Sequence, residues 1–205
     1  TFFSSTLFPQ QTPRMDLQQA EAVLDRARHE QFTDLEAGLR QLRAAAAAFN
    51  AAHRPCEEAW CRVYCSSALD HKGSSDSAVA LLLSIDPTAI GPCSTQLRVD
   101  HAAHLAGAYL SLNEFHLADS IARRSWSRDV VTDTTLDASA LLLNRGFALA
   151  NLGELDEAYA VFAQAGTMAR RHHRSEATML SAMNMATVPA KVRAFISMGA
   201  VRSRP

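Results

Sequence analysis

From Asp16 onward, apolar positions return every three or four residues, the spacing that places them on one face of an α-helix. The pattern breaks at Pro55, Pro87, Pro92 and Pro189, residues that helices tolerate only at their ends. It predicts helices near 16–30, 34–52, 56–71, 75–86, 94–111, 114–130, 134–151, 154–172, 175–187 and 190–199. Asp133, Thr134 and Thr135 offer caps for the helix that follows them. Residues 1–15 (TFFSSTLFPQQTPRM) depart from this pattern, and Pro9 and Pro13 make an extended leader or linker the expectation. The alternative is an apolar arm lying in a groove of this molecule or a neighbour. The tail VRSRP is polar and expected to fray.

The helical pattern repeats. Shifting the sequence by 40 residues aligns the turn residues Thr33, Gly73, Asn113 and Gly153 and the small residues Gly38, Ala78, Ala118 and Ala158. Leu42, Leu82 and Phe162 align too, with Ala122 in the third place, as do Leu69, Tyr109 and Leu149. Each column has a physical role. Gly or Asn at the turn tolerates positive φ and ends the first helix of a pair. A small residue five positions later lets two antiparallel helices approach, and the apolar residue four further on fills the space beside it.

The clearest unit is LLLNRGFALANLGELDEAYAVFAQAGTMARR, 141–171. Its Gly146, Ala148, Gly153, Leu155, Ala158, Phe162 and Ala165 resemble the tetratricopeptide repeat pattern. Ala108, Tyr109, Asn113, Phe115 and Ala118 keep it in the preceding unit, and Ala68, Gly73 and Ala78 in the one before. The first unit keeps only Leu35, Gly38, Leu42 and Ala45. The resemblance implies an all-α fold, a right-handed α-α superhelix (solenoid) of four to five helical hairpins over residues 16–200. The units fall near 19–52, 59–92, 99–132 and 139–172, with a partial one at 175–200. The period of 40 in place of the family's 34, and the absent closing proline, imply longer helices. This longer variety is similar to repeats in bacterial regulators: transcription activators, peptide-sensing receptors and signalling proteins with output domains. A chain that starts at Thr1 also reads as part of a longer protein.

Composition narrows the function classes. Hydrophobic residues make up 48% of the chain and charged residues 20%, which suits a packed core and not a disordered segment. The net charge of −1 offers no overall attraction to nucleic acid or anionic lipid. The basic run Arg170, Arg171, His172, His173, Arg174 reads as helix-end charge complementing the dipole, with nucleic-acid binding as the alternative. No apolar run approaches a membrane span. Cys56, Cys61, Cys65 and Cys93 form no CxxC pair and are expected as buried reduced thiols in a cytoplasmic protein.

By the same resemblance, the first helix of each pair lines a concave groove, and one column projects into it: Tyr64, His104, Asn144 and Asn184. Trp60, Ser67, Asp70, Asp100, Phe147 and Asn151 neighbour that column. Asparagine pairs with the backbone of an extended peptide without reading its sequence, while Trp60, Tyr64 and Phe147 grip apolar side chains. The competing reading is that Asn144 and Asn184 bridge neighbouring helices. Cys61, Cys65, His101 and His104 have zinc-like spacing, but inter-helix packing explains the cysteines better, so no metal or other cofactor is expected. No GxSxG, HExxH or phosphate-cradling loop is present, and no catalytic residue is assigned. The expectation is therefore a peptide- or protein-binding scaffold and not an enzyme. The alternatives are a homo-oligomerisation module, as a homodimer through the apolar last unit (Met179, Met183, Met185, Val188, Phe195), and a small-molecule sensor using the groove.

Overall fold

The computed structural model describes residues 15–29, 34–86, 90–126 and 136–187, and among them it is all-helical, with no strand. Helices α1 (Leu17–His29) and α2 (Leu35–Ala51) are followed by α3 (Pro55–His71) and α4 (Ser75–Leu83). Then come α5 (Thr95–Ser111), α6 (Phe115–Ser125), α7 (Ser139–Leu152) and α8 (Leu155–Arg171). A further helix, α9, runs through 175–187. Pro55 opens α3 at its first turn, where a missing N–H costs nothing. The side chains of Asp34 and Ser94 cap α2 and α5 by accepting from Ala37 N and Leu97 N.

The helix ends follow one design. Gly73, Asn113 and Gly153 sit at φ of 82°, 62° and 85°, as the turn column requires. In each case the next residue donates its N–H five residues back: Ser74 to Leu69 O, Glu114 to Tyr109 O and Glu154 to Leu149 O. The same device recurs at His53 (φ 56°) and His173 (φ 55°), with Arg54 bonded to Phe49 O and Arg174 to Ala169 O. Histidine is an unobvious choice for a left-handed position, so these two turns were invisible to a search for glycine and asparagine.

Packing is between chain neighbours. Each helix from α1 to α8 packs on the next, and α3, α5 and α7 also lie side by side. Three side-chain bonds join those helices at one constant separation. Gln96 Nε2 donates to Asp137 O, Asn144 Nδ2 to Ala103 O, and Ser111 Oγ to Asp70 Oδ2, each across 41 residues. The small column (Gly38, Ala78, Ala118, Ala158) and its companions Leu42, Leu82, Ala122 and Phe162 are all buried. A Cβ on Gly146 would sit 2.5 Å from the Phe162 ring, so glycine there sets the α7–α8 approach. Arg145, itself well covered, ties α7 to Asp119 of α6 and Glu157 of α8. The core is a series of overlapping clusters along the chain, one over α1–α4 with Ala108 of α5, one over α3–α5 and one over α5–α8.

Several sequence expectations need correction. The helix expected from 134 begins at Ser139, because the Asp137 carboxylate accepts from Ser139 N and Oγ, and Gln96 engages the Asp137 backbone from both sides. The helices expected to reach 86 and 130 end at Leu83 and Ser125. Cys56 and Cys93 are joined as a disulfide with Cα atoms 5.6 Å apart, tying the start of α3 to the turn before α5. Only Cys61 and Cys65 are buried free thiols. The disulfide removes the basis for the cytoplasmic expectation, because such bonds persist in oxidising compartments. No described helix is long and apolar enough to cross a membrane. Residues 1–14, Thr33, Pro87, the caps at 133–135 and the helix at 190–199 lie outside the described residues.

Candidate functional site

The candidate groove residues fall on the side-by-side helices α3, α5 and α7, and on α9. Trp60 and Tyr64, one turn apart on α3, stack with ring centroids 5.6 Å apart and planes 17° from parallel. The guanidinium of Arg28, from α1, lies 5.5 Å over the Trp60 ring. Burial and the nearby Asp100 carboxylate push the Tyr64 hydroxyl up to about 12, against the opposing pull of Arg28 and Arg174. Two arginines from opposite ends of the described chain thus act on one tyrosine. Neither belongs to the column read from the sequence: Arg28 lies on α1 and Arg174 in the turn after α8.

Asp100 on α5 is half-buried and accepts from Gln96 Nε2 at 2.8 Å. Burial raises its carboxyl to about 6; Asp137 adds to the rise, while Gln96 and Arg174 oppose it. Asp137 behaves differently. Burial works against its ionisation, but the bonds from Ser139 and the Arg174 guanidinium, 2.7 Å away, outweigh it and hold the carboxyl below its ordinary value. Arg174 is raised in turn, chiefly by that bond. Arg174 therefore clasps the start of α7 from the turn after α8.

His104 sits one turn beyond Asp100. Burial lowers its imidazole to about 4, helped by His71 and His101 and resisted by Asp70. Asn144 spends its amide N–H on Ala103 O, and the Cβ that Gly107 lacks would come within 3.2 Å of that nitrogen. The bridging reading thus describes this amide group. Asn151 donates to Phe147 O on its own helix and is exposed. Phe147 packs edge-on against Phe162, with centroids 5.4 Å apart. Asn184 has a buried Nδ2 with no hydrogen-bond partner. The structure therefore stacks Trp60 on Tyr64 on α3, sets Asp100 and His104 one turn apart on α5, and places Asn144 on α7. It leaves Asn151 at the margin.

The zinc-like set is not assembled. His101 Nε2 engages Leu82 O at 3.0 Å, and burial pushes the Cys61 and Cys65 thiols up to about 12 and 11. Among the described residues no three His, Cys, Asp or Glu side chains come close enough to hold a metal.

Asp100 and His104 bend stability in opposite directions. His104, lowered in the folded state, contributes stability that is lost as pH falls from 6.5 through about 4. Asp100, raised, contributes stability that is present below 3.8 and lost as pH rises through about 6. Asp100→Asn removes one side of this balance. Between pH 7 and 4.5 the variant is expected to lose about 1–3 kcal/mol more than the wild type. Urea midpoints at the two pH values check this, and parallel profiles for the two proteins would contradict it.

No protein-family model matches the chain, and no curated protein matches it.

Proposed function

We propose that this chain is a tetratricopeptide-like superhelix of helical hairpins whose concave face binds an extended peptide or protein segment. We place it as the sensory or interaction domain of a bacterial regulatory protein. The observation that carries the reading is the stacking of α3, α5 and α7 with bonds at a constant 41-residue separation. A constant offset between successive first helices is what a repeated hairpin produces. Tyr64, His104 and Asn144 sit in succession on α3, α5 and α7, which supports a shared binding face. The aromatic pair at Trp60 and Tyr64 supplies the side-chain grip that such a surface uses.

A random heptapeptide library panned against the chain tests this. Selected peptides are expected to bind with micromolar affinity and to weaken at least tenfold, about 1.4 kcal/mol, with Tyr64→Ala. Arg43→Ala, on α2 outside the groove, is expected to change affinity less than about twofold. The reverse ranking, with circular dichroism showing both variants folded, sinks the groove assignment.

A homo-oligomeric reading has one observation of its own: Met179 and Met183 on α9 are each 57% exposed. If that face is the interface, Met179→Lys/Met183→Lys shifts a dimer to monomer in light scattering. A wild-type monomer at high concentration excludes it.

A further inference from the structure

Glu58, Arg62, Cys65 and Leu69 recur every three or four residues on α3, so they share one face of that helix. Trp60 and Tyr64 are each two residues from that stripe, about 200° around the helix, on the opposite face. α3 packs against both α2 and α4. Over the stripe, where the three helices meet, lies a cavity of about 530 Å3, walled by Ala46 and Ala47 of α2 and by Leu81 of α4. That volume falls within the range of small-molecule sites. Cys65, 2% exposed, and Leu69 give it an apolar floor, and the two alanines are too short to fill the space above. The floor runs roughly 16 Å along α3 at 1.5 Å per residue, a length that suits an extended chain better than a compact ring.

The charged groups around the cavity are unequal. Glu58 and Arg62 close on each other at 2.6 Å, and Arg62 also donates to Ser84 Oγ. Arg43, which lines the cavity from α2, is exposed and takes part in no ion pair among the described residues. Glu36, which Arg43 attracts through space, is bonded by Lys72. One guanidinium therefore stands uncommitted beside an apolar trough, an arrangement complementary to an anion that carries an apolar tail.

We propose that this cavity binds a medium-chain alkyl carboxylate, with its carboxylate on Arg43 and its chain along Cys65, Leu69 and Leu81. The site is separate from the peptide face and does not rest on that reading.

Calorimetric titration of the full chain with sodium octanoate is expected to show one saturable site of millimolar affinity. Decanoate is expected to bind roughly tenfold more tightly, because two further methylenes leave water. Octanamide, the neutral analogue, is expected to bind about fivefold more weakly than octanoate, the value of one exposed ion pair. Arg43→Gln is expected to bring octanoate down to the octanamide level. Ala47→Phe places a ring in the cavity and is expected to abolish binding of both. Ala47 and Arg43 are exposed, and circular dichroism checks that each variant is folded. Saturating octanoate is expected to leave the affinity of a peptide bound at Tyr64 unchanged. No saturable heat, equal affinity for octanoate and octanamide, decanoate no tighter than octanoate, or binding that survives in folded Ala47→Phe overturns the inference. Competition between octanoate and the peptide overturns it too, by moving the carboxylate to the other face of α3.

Discussion

Replacing Cys56 and Cys93 by serine is expected to lower stability by roughly 4 kcal/mol, the loop-closure entropy of a cross-link spanning 37 residues. For a chain of this size, that corresponds to a fall in melting temperature of roughly 8–16 °C. The bond ties the first turn of α3 to the turn before α5. Other turns in the same series are clasped by charge. Arg54 reaches back to Glu21, and Arg174 to Asp137, the latter across the same 37 residues as the disulfide. The disulfide therefore does covalently what an ion pair does elsewhere. Its loss is expected to loosen α4 and α5 first, visible as faster amide exchange there than in α7 and α8. Melting of the oxidised protein with and without reductant is the direct measurement. A change below about 2 °C would show that the pair contributes nothing in solution. The buried thiols Cys61 and Cys65 are raised well above neutral pH and are expected to resist alkylation in the folded state.

Phe162→Ala is expected to cost about 3–5 kcal/mol, the usual cost of emptying a buried aromatic site. Phe162 is 1% exposed, braced edge-on by Phe147 and pressed against Gly146. Gly146→Ala alone has two opposing effects. Alanine improves helix propensity by about 1 kcal/mol. The new methyl, 2.5 Å from a ring that cannot retreat, costs about 1–3 kcal/mol in overpacking. In the Phe162→Ala background the obstruction is gone, so the same change is expected to become favourable by about 1 kcal/mol. The two substitutions are thus coupled by at least about 1 kcal/mol in a double-mutant cycle read by urea denaturation. Additive costs would mean that the glycine column does not govern how closely α7 and α8 approach.

Much of the helical order was legible in the sequence because it depends on local chemistry. The turn column at Gly73, Asn113 and Gly153 announces its positive φ by residue type. The small and apolar columns announce burial by their spacing. His53 and His173 adopt the same backbone with no such announcement. The start of α7 was not legible because Gln96, 41 residues away, holds the Asp137 backbone just before the helix. The disulfide was not legible for a related reason: Cys56 and Cys93 meet only when the start of α3 packs beside the turn before α5. Trp60 and Tyr64, four residues apart, could be placed on one helix face by spacing alone. Arg28 over Trp60 and Arg174 on Asp137 were not legible, because each contact joins residues distant in the sequence, which no single window contains.

The proposed binding surface is the shared face of α3, α5 and α7. Amide hydrogen exchange of the chain with and without a saturating library-selected peptide tests that face most directly. Slowed exchange concentrated in α3, α5 and α7, with α2, α4, α6 and α8 unchanged, is the predicted result. Protection confined to the second helices of the pairs, or to α9 alone, would contradict it.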